Sequence, residues 1–315
     1  MHSVALIYNP ASGQYSARRK AAVEQVLDVL RASGVEAEAF VTETPGSATA
    51  QAEQAVRAGC DTILACGGDG TVHEVLQSLV GTDVALGVIP LGTANALASD
   101  LGLNTDPAKA ARVLLSALPT RIPVGRIHFQ NGHGPESRYF LVAAGVGADA
   151  LLMSRLDPGL KRRFGYILYM IEAFKIWATD PLPLFEAAFS SNGHGPDQTA
   201  EVSQLLAVRV RSFGGALREF APGATLHSKS LHLIAFGTRS RYLYLRFLLA
   251  VLAGRHTFAS KIQLVETGTV DCRPRNGSKE TLYVEADGEV LGHLPAKMET
   301  IADALTLLVP QGAQP

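Results

Sequence analysis

The sequence predicts an α/β domain with a parallel sheet, followed by an antiparallel β-sandwich domain. Three observations lead to this prediction. Residues 1–124 alternate apolar, strand-like runs with amphipathic helical segments. Two of the strand-like runs end in glycine-rich turns that open helices. Beyond residue 124, short alternating runs separated by turn-rich stretches replace the strand–helix order.

The first domain is predicted to contain a parallel, Rossmann-like sheet. Its predicted strands cover residues 4–8, 35–41, 61–66 and 84–89. Its predicted helices cover residues 17–31 and 46–58, with a further helix after each glycine-rich turn. Apolar strands in repeated strand–helix order are typical of parallel sheets with right-handed crossovers on both faces. The carboxyl ends of such strands meet at one edge of the sheet.

Residues 125–296 are predicted to form the β-sandwich. The short alternating runs that predict its strands lie at residues 139–144, 185–189, 204–210, 231–236, 261–266 and 282–286. Their spacing favours an antiparallel sandwich over further strand–helix units. Two helical insertions are predicted, over residues 159–179 and 239–252.

Composition excludes several classes of function. With 28 basic and 29 acidic residues, the net charge of −1 gives no electrostatic reason to expect a nucleic-acid partner. Three scattered cysteines argue against a disulfide framework or a zinc site. The first residues lack the pattern of a signal peptide, and the most apolar segments are too short to span a bilayer. We therefore expect a cytoplasmic protein.

The two glycine-rich turns predict a phosphate site. They lie at residues 67–71 (Gly-Gly-Asp-Gly-Thr) and 90–95 (Pro-Leu-Gly-Thr-Ala-Asn). Glycine lets backbone N–H groups point at one spot, where the helix dipole favours negative charge. Two such turns on neighbouring strands form a crevice suited to a nucleotide. A plain helix-capping turn is the alternative interpretation of residues 67–71.

The sequence also predicts roles for individual residues of the first glycine-rich turn, residues 67–71. Gly68 and Gly70 are expected to adopt positive φ or to allow close backbone approach. Thr71 is expected to cap the following helix while facing a phosphate. A carboxylate would repel phosphate, so Asp69 is expected to bind loop N–H groups or to contact Mg²⁺ that accompanies ATP.

Residues 9–13 (Asn-Pro-Ala-Ser-Gly) follow the first predicted strand. Alone they could be an ordinary strand-to-helix turn. Their place beside the glycine-rich turns supports a role in nucleotide binding. No Gly-Lys-Ser/Thr follows, so this is not a Walker A loop, and backbone and hydroxyl groups would hold the phosphates.

Two further regions allow a functional and a structural interpretation. Residues 285–289 (Glu-Ala-Asp-Gly-Glu) offer carboxylates for a general base, although the residues alone favour a solvated acidic hairpin. Residues 159–179 and 239–256 combine apolar and aromatic faces with basic residues. Such segments can meet a membrane surface, or they can pack on the sandwich with cationic rims.

Taken together, the motifs resemble the diacylglycerol kinase catalytic-domain family, which includes bacterial lipid kinases and sphingosine kinases. The matching stretches are residues 9–13, 67–75, 90–95, 145–150, 213–215 and 287–289. NAD kinases share the Gly-Gly-Asp-Gly loop, but the later motifs resemble the lipid kinases. The resemblance implies a nucleotide domain over residues 1–124 and a lipid-substrate domain over residues 125–296. Residues 297–312 would return to the first domain.

The resemblance also implies roles for individual residues. It implies that ATP is contacted by Asn9, Pro10, Ser12, Gly13, Thr42, Gly67, Gly68, Asp69, Gly70, Thr71, His73, Gly92, Thr93 and Asn95. Glu289 would accept the proton, with Asp287 as an alternative or partner. The sphingosine kinases instead favour Asp69 as the base, and they have an acidic residue near the amino-alcohol head group at the position of Asp149.

The implied activity is ATP-dependent transfer of the γ-phosphate to a lipid hydroxyl, with diacylglycerol as the first substrate. Sphingoid bases, ceramide and polyprenols are alternative acceptors. There are two rival interpretations: a kinase of a soluble compound such as NAD, and a non-catalytic nucleotide-binding regulator. The implied partners are Mg²⁺ with the nucleotide and a lipid at a membrane surface, contacted peripherally. The resemblance is also compatible with a homodimer.

One stretch departs from the family. Bacterial members have an Asp-Asp-Gly-like stretch that binds a structural Mg²⁺, where this chain has His227, Ser228 and Lys229. Imidazole, hydroxyl and ammonium groups are poor replacements for the oxygen ligands that Mg²⁺ prefers. The structural Mg²⁺ site is therefore predicted to be absent and no resident metal site is predicted, whereas Mg²⁺ that accompanies ATP is still expected.

Overall fold

The computed structural model describes residues 1–10, 16–155, 175, 179–190, 198–213, 221–254, 261–277 and 280–313. The chain divides into two compact units. The first combines Met1–Val124 with Ala302–Pro315, and the second is Gly125–Ile301.

The first unit contains a parallel sheet. Its strands are β1 (Ser3–Tyr8), β2 (Glu36–Val41), β3 (Thr62–Gly67) and β4 (Ala85–Pro90). They lie in the order β4-β3-β1-β2, and residues 306 and 307 of the last strand, β15 (Glu289–Val309), add a parallel pairing to β4. Strands β3 and β4 are buried along their whole length, which explains their uninterrupted apolar sequences.

In the described part of the first unit, five helices pack on this sheet: α1 (Ser16–Ala32), α2 (Ser47–Arg57), α3 (Asp69–Leu79), α4 (Ala96–Asp100) and α5 (Pro107–Leu115). Their first turns differ in capping, since no side chain caps α2, α3 or α4. Helix α5, by contrast, has Pro107 in its first turn, and the carboxylate of Asp106 accepts a hydrogen bond from Lys109 N at 2.9 Å.

The second unit is antiparallel. Its strands are β5 (Leu118–Gln130), which begins in the first unit, β6 (Pro135–Phe140), β7 (Ala143–Val146), β8 (Phe185–Phe189), β9 (Gln198–Val202), β10 (Gln204–Val208), β11 (Leu231–Phe236), β12 (Ile262–Thr267), β13 (Thr269–Pro274), β14 (Tyr283–Ala286) and the first part of β15. One row runs β12-β11-β10-β7-β14-β15, while β13 pairs with β15 and β8, and β5 pairs with β6. The described helices are α6 (Ala148–Arg155) and α7 (Arg241–Leu252).

Two apolar clusters stabilise the second unit. The larger one includes Phe140, Phe185 and Met298, all fully buried. The smaller one joins β10 and β11 to α7 and includes Phe236 and Phe247. Alternating apolar residues on the strands supply both clusters, as expected for sheets with one face in a core.

The predicted fold class is confirmed, and the differences are local. The run at residues 139–144 is two strands, because Leu141 and Val142 donate their N–H groups to a carboxylate instead of a neighbouring strand. The change of character at residues 119–124 lies inside β5. Strand β13 has an unpredicted polar sequence and pairs on both sides. The predicted helix at residues 159–179 lies outside the described residues, apart from two positions.

Within the described part of the chain, no helix has the length and apolar character needed to cross a membrane.

Candidate functional site

Three loops follow neighbouring strands at one edge of the first unit's sheet. In the parallel register, Tyr8 at the end of β1 is the partner of Cys66 in β3. Gly67 at the end of β3 is the partner of Pro90 at the end of β4. The loops after β1, β3 and β4 therefore leave the sheet side by side, in the place where open α/β sheets bind ligands.

The two glycine-rich loops touch each other through their backbones. A Cβ atom added to Gly92 would overlap the Cα atom of Gly68 and lie 2.7 Å from Asn95 Oδ1. Gly68 has φ −94°, and a Cβ atom added to it would meet Gly92 Cα at an ordinary 3.4 Å, so the close approach requires glycine at position 92, and the left-handed conformation considered for Gly68 is not adopted. Leu91 N also donates to Gly67 O at 2.9 Å. These contacts fix the spacing of the two loops.

Asp69 links the same two loops through its side chain. Its Oδ1 accepts a hydrogen bond from Ala96 N at 2.8 Å, at the first residue of α4. Asp69 is itself the first residue of α3, where a negative charge is stabilised by the helix dipole. Binding a loop N–H group is one of the two roles that the sequence suggested for this carboxylate.

Asn95 fixes the loop after β4. Its backbone is left-handed, with φ 49° and ψ 53°. Its Oδ1 accepts from Gly92 N at 2.9 Å, and its Nδ2 donates to Gly92 O at 2.8 Å. Asparagine is one of the few side chains that tolerate this conformation. The closed ring leaves Thr93 exposed at the tip of the loop.

Arg19, which the sequence reasoning missed, links the first loop to the third. It lies on α1 and is buried, with Nη1 donating to Asn9 O at 3.1 Å and Nη2 donating to Leu91 O at 2.8 Å. Burial lowers the pKa of its guanidinium from the usual value. Its neighbours Arg18 and Lys20 make the segment look like a solvated helix face, so no local signal identifies it.

Thr71 does not cap α3, contrary to the sequence prediction. The helix begins at Asp69 after Gly68, and no side chain caps it. Thr71 is therefore already in the first turn, buried, and a Cβ atom added to Gly67 would lie 2.7 Å from its Cβ. Because Thr71 occupies this space, Gly67 cannot be a larger residue. The first turn has no side-chain cap, and its Thr71 N donates to Gly68 O at 3.0 Å. A helix N-terminus of this kind suits an anion.

The remaining predicted nucleotide residues are placed as follows. Thr42 is buried after β2, and its N donates to Tyr8 O at 2.9 Å. His73 is buried in α3, while Gly70 lies in the first turn of that helix. Asn9 and Pro10 are half-buried beyond β1. Ser12 and Gly13 lie outside the described residues.

In the second unit, Asp287 is surrounded by backbone donors. Its Oδ1 accepts from Val142 N at 2.8 Å and from Ala143 N at 3.1 Å, and its Oδ2 accepts from Leu141 N at 3.0 Å. Its own N donates to Ala143 O at 2.8 Å. With φ 49°, Asp287 precedes Gly288 at φ 84° in a tight turn between β14 and β15.

The other two carboxylates of this turn differ in their surroundings. Glu285 is buried, and its Oε2 accepts from Gly288 N at 2.9 Å. Glu289 is half-buried and is the first residue of β15, opposite Ala286. The hairpin itself follows the sequence pattern, but the solvated acidic hairpin that the residues alone favoured is wrong, because Glu285 is buried and Asp287 binds backbone N–H groups.

Arg209 is a second buried cation that the sequence did not reveal. Its Nη2 donates to Leu226 O at 3.2 Å and to Ser228 O at 3.5 Å. Burial lowers the pKa of its guanidinium to about 10, and the charge of Asp287 opposes that shift. Arg209 therefore remains charged at neutral pH and acts on both the 226–228 turn and the Asp287 turn.

The described residues include no group of three or more His, Cys, Asp or Glu side chains that could hold a metal ion. His227 and Lys229 flank Ser228, whose carbonyl accepts the Arg209 bond. Of the other motif residues, Phe213 is described, whereas residues 214–215 and the side chain of Asp149 lie outside what is described.

Comparison with known proteins places this architecture in a family. Residues 3–127 match the model of the diacylglycerol kinase catalytic domain, and residues 142–309 match that of the YegS C-terminal NAD kinase beta sandwich-like domain. A diacylglycerol kinase of Mycobacterium tuberculosis is 30% identical over 317 residues, covering 98% of this chain and 95% of that protein. One of Bacillus subtilis is 27% identical over 314 residues, covering 99% and 97%.

Solved structures give the same fold. A diacylglycerol kinase structure from Bacillus anthracis superimposes with a TM-score of 0.70 at 18% identity, covering 99% of this chain and 98% of that one. A yeast NADH kinase structure superimposes with a TM-score of 0.50 at 10% identity, covering 98% and 84%. The chain has a parallel sheet with three loops at one edge and an antiparallel sandwich, and the family models and curated relatives identify it as a kinase. The chain belongs to the diacylglycerol kinase family, a family of lipid kinases.

Proposed function

We propose that this chain is an ATP-dependent lipid kinase whose acceptor is the hydroxyl group of diacylglycerol. The observation that supports it most is the set of three interlinked loops at one edge of the parallel sheet. The acceptor is proposed from the names of the full-length relatives, which are diacylglycerol kinases. We further propose that the enzyme works in the cytoplasm and contacts the membrane only peripherally.

The donors of the first unit suit a polyphosphate. They are the uncapped first turn of α3, the exposed Thr93 hydroxyl and backbone N–H groups of the glycine-rich loops. Arg19, Asp69 and Asn95 keep these loops in place by hydrogen bonds to their backbones. Rigid, prearranged donors supply most of the catalysis in phosphoryl transfer, because the reaction depends on alignment and charge stabilisation.

Mg²⁺ would enter with the nucleotide. When bound, it neutralises charge on the phosphates during transfer. Asp69 is the carboxylate in these loops that could contact it, because carboxylate oxygens are ligands that Mg²⁺ prefers.

We propose Glu289 as the general base. The lipid hydroxyl oxygen forms a bond to the γ-phosphorus, the bond from that phosphorus to the β–γ bridging oxygen breaks, and ADP leaves. The hydroxyl proton passes to Glu289. Asp287 is less suited because both of its oxygens accept backbone hydrogen bonds, which stabilise its charged form and oppose proton uptake.

A transfer assay tests the reaction. Purified protein, Mg²⁺ and ATP labelled at the γ-phosphate are mixed with micelles that contain diacylglycerol, ceramide, sphingosine or undecaprenol. We expect labelled phosphate in diacylglycerol. Transfer to another lipid would change the acceptor and keep the reaction class. Binding of ATP without transfer to any lipid would contradict the proposal and favour a regulator or a soluble acceptor.

The variant Glu289→Gln tests the base. We expect kcat to fall by about 10²–10⁴-fold while ATP affinity stays unchanged, because Gln keeps the shape of Glu but accepts no proton. Glu136→Gln, at an exposed position on β6, is the matched control and should keep full activity. Full activity of Glu289→Gln would remove Glu289 as the base.

A further inference from the structure

Helix α7 packs on the second unit through an apolar face. The ring of Tyr244 stacks on Phe236 of β11 with centroids 4.6 Å apart, and Phe247 meets Phe236 edge-on at 5.1 Å. Val251, one turn beyond Phe247, is also buried in the same cluster. These residues recur at helical spacing, so they define the inner face of α7.

The opposite face of α7 is apolar and exposed. Tyr242 is 69% exposed, Leu245 39% and Leu249 56%. At about 100° per residue these three positions form one stripe, directed away from Phe247 and Val251. The stripe contributes nothing to the apolar cluster beneath the helix. Exposed leucine and tyrosine side chains in a row point to an interaction surface.

Arginines border this stripe. On the helical wheel, Arg241 lies on one side of it and Arg246 on the other, and Arg239 precedes the helix. All three are exposed, and residues 239–254 contain no Asp or Glu. The described residues place no carboxylate within ion-pair distance of Arg246, while Arg241 Nη2 donates to the backbone carbonyl of Asp180 at 3.1 Å.

We propose that the outer face of α7 is a membrane-contact surface that binds the surface of an anionic lipid bilayer. Tyr242, Leu245 and Leu249 enter the boundary between head groups and acyl chains, and the arginines bind the anionic head groups. An apolar stripe bordered by cationic side chains is the pattern of helices that lie in the plane of a membrane interface. The proposal deepens the proposed function, because it names the surface through which the enzyme reaches a lipid acceptor.

Charge favours the bilayer over a second copy of the chain. In a two-fold dimer the same patch lies on both sides of the interface, so Arg241 and Arg246 would face arginines of the other copy. Like charges in such a position cost binding energy, and interface cores are depleted of charged residues. An anionic lipid surface complements both the positive charge of the arginines and the apolar stripe.

Vesicle sedimentation tests the surface directly. The full-length protein is mixed with vesicles of phosphatidylcholine and phosphatidylglycerol, or of phosphatidylcholine alone, and the bound fraction is measured. We expect clear binding to the anionic vesicles and much weaker binding to the neutral ones. The double variant Leu245→Ser/Leu249→Ser should bind the anionic vesicles at least about tenfold more weakly. Arg246→Gln should bind about fivefold more weakly.

The matched control is Leu118→Ser, because Leu118 is 58% exposed at the start of β5, in the first unit. It should bind vesicles like the unmodified protein. Equal binding of the double variant and the unmodified protein would overturn the proposal. So would a change of the double variant from dimer to monomer in analytical ultracentrifugation without a loss of vesicle binding.

A second readout separates this inference from the proposed catalytic function. Short-chain diacylglycerol dissolved as monomers needs no membrane contact, so the double variant should phosphorylate it at the normal rate. The same variant should phosphorylate long-chain diacylglycerol in anionic vesicles at least about tenfold more slowly. If no form of the protein phosphorylates either lipid, the proposed function fails, while the vesicle-binding result still decides whether α7 meets the membrane.

Discussion

Replacing Asp287 by asparagine tests whether this carboxylate is mainly structural. The carboxylate accepts three hydrogen bonds, from the backbone N–H groups of Leu141, Val142 and Ala143. Asparagine keeps one acceptor oxygen and replaces the other with an NH₂ group. If its oxygen serves Val142 and Ala143, the NH₂ group faces the N–H of Leu141, which then has no acceptor.

The expected loss of stability in Asp287→Asn follows from these contacts. Hydrogen bonds to a charged group contribute about 1.5–3 kcal/mol each, and a buried donor without a partner costs about 1–3 kcal/mol. The substitution also removes the negative charge that opposes the desolvation of Arg209. We therefore expect Asp287→Asn to lower the free energy of unfolding by about 3–5 kcal/mol.

Urea denaturation followed by far-ultraviolet circular dichroism measures this loss. With a slope of about 3 kcal/mol per molar urea, the midpoint should fall by about 1 M or more. The matched control is Asp303→Asn in β15. Asp303 has the same left-handed backbone conformation, with φ 46° against 49° for Asp287, but it is exposed. Its midpoint should stay within about 0.3 M of the unmodified protein.

The two variants together separate the carboxylate contacts from the backbone conformation. If Asp287→Asn unfolds at the same urea concentration as Asp303→Asn, the three hydrogen bonds contribute little and the reasoning is refuted. In that case a loss of kcat in Asp287→Asn at unchanged stability would return Asp287 to the role of general base.

Two further predictions concern side chains that act at a distance in sequence. Arg19→Lys should bind ATP about tenfold more weakly by calorimetry, because one ammonium group cannot reach both carbonyls that Arg19 contacts. The control is Arg31→Lys, exposed on the same helix, which should bind ATP normally. Equal ATP affinities of the Arg19→Lys variant and the unmodified protein would contradict a role of Arg19 in loop spacing. Burial would raise the pKa of Glu299, but hydrogen bonds from His128 and Arg126 lower this pKa to about 2. The carboxylate therefore stabilises the fold fully at a pH above 4.5, the usual pKa of glutamate, and this stabilisation is lost as the pH falls towards 2. Glu299→Gln should therefore lower the free energy of unfolding by about 2–3 kcal/mol at pH 7 and have little effect near pH 2; a pH-independent difference would speak against this ion cluster.

The parts of the fold that could be predicted rest on local signals. Uninterrupted apolar runs identified the buried strands β3 and β4, and the Asp-Gly pair identified the turn between β14 and β15. Strand β13 carries no such signal. Its sequence, Thr-Val-Asp-Cys-Arg-Pro, becomes a strand because β8 and β15 pair with it from both sides.

The same difference between local and long-range signals explains which site residues could be predicted and which could not. The glycine-rich loops could be found because tight turns and close backbone approach require particular residues at particular positions. Arg19 could not be found, since its role depends on carbonyls 10 and 72 positions away in the chain. Arg209 lies in a sequence of alternating residues and is identified only by its burial and its bonds to the 226–228 turn.

Each unit contains an acidic residue whose side chain joins backbone segments that are distant in sequence. Asp69 accepts from the N–H group of Ala96, and Asp287 accepts from residues 141–143. A general base takes up a proton, whereas a carboxylate that organises a loop accepts hydrogen bonds, and an aspartate or a glutamate can serve in either role. Sequence alone therefore cannot rank the three candidate bases. Asp69 and Asp287 both accept backbone hydrogen bonds, so a substitution of either changes a loop as well as a candidate base, and the catalytic test therefore begins with Glu289→Gln.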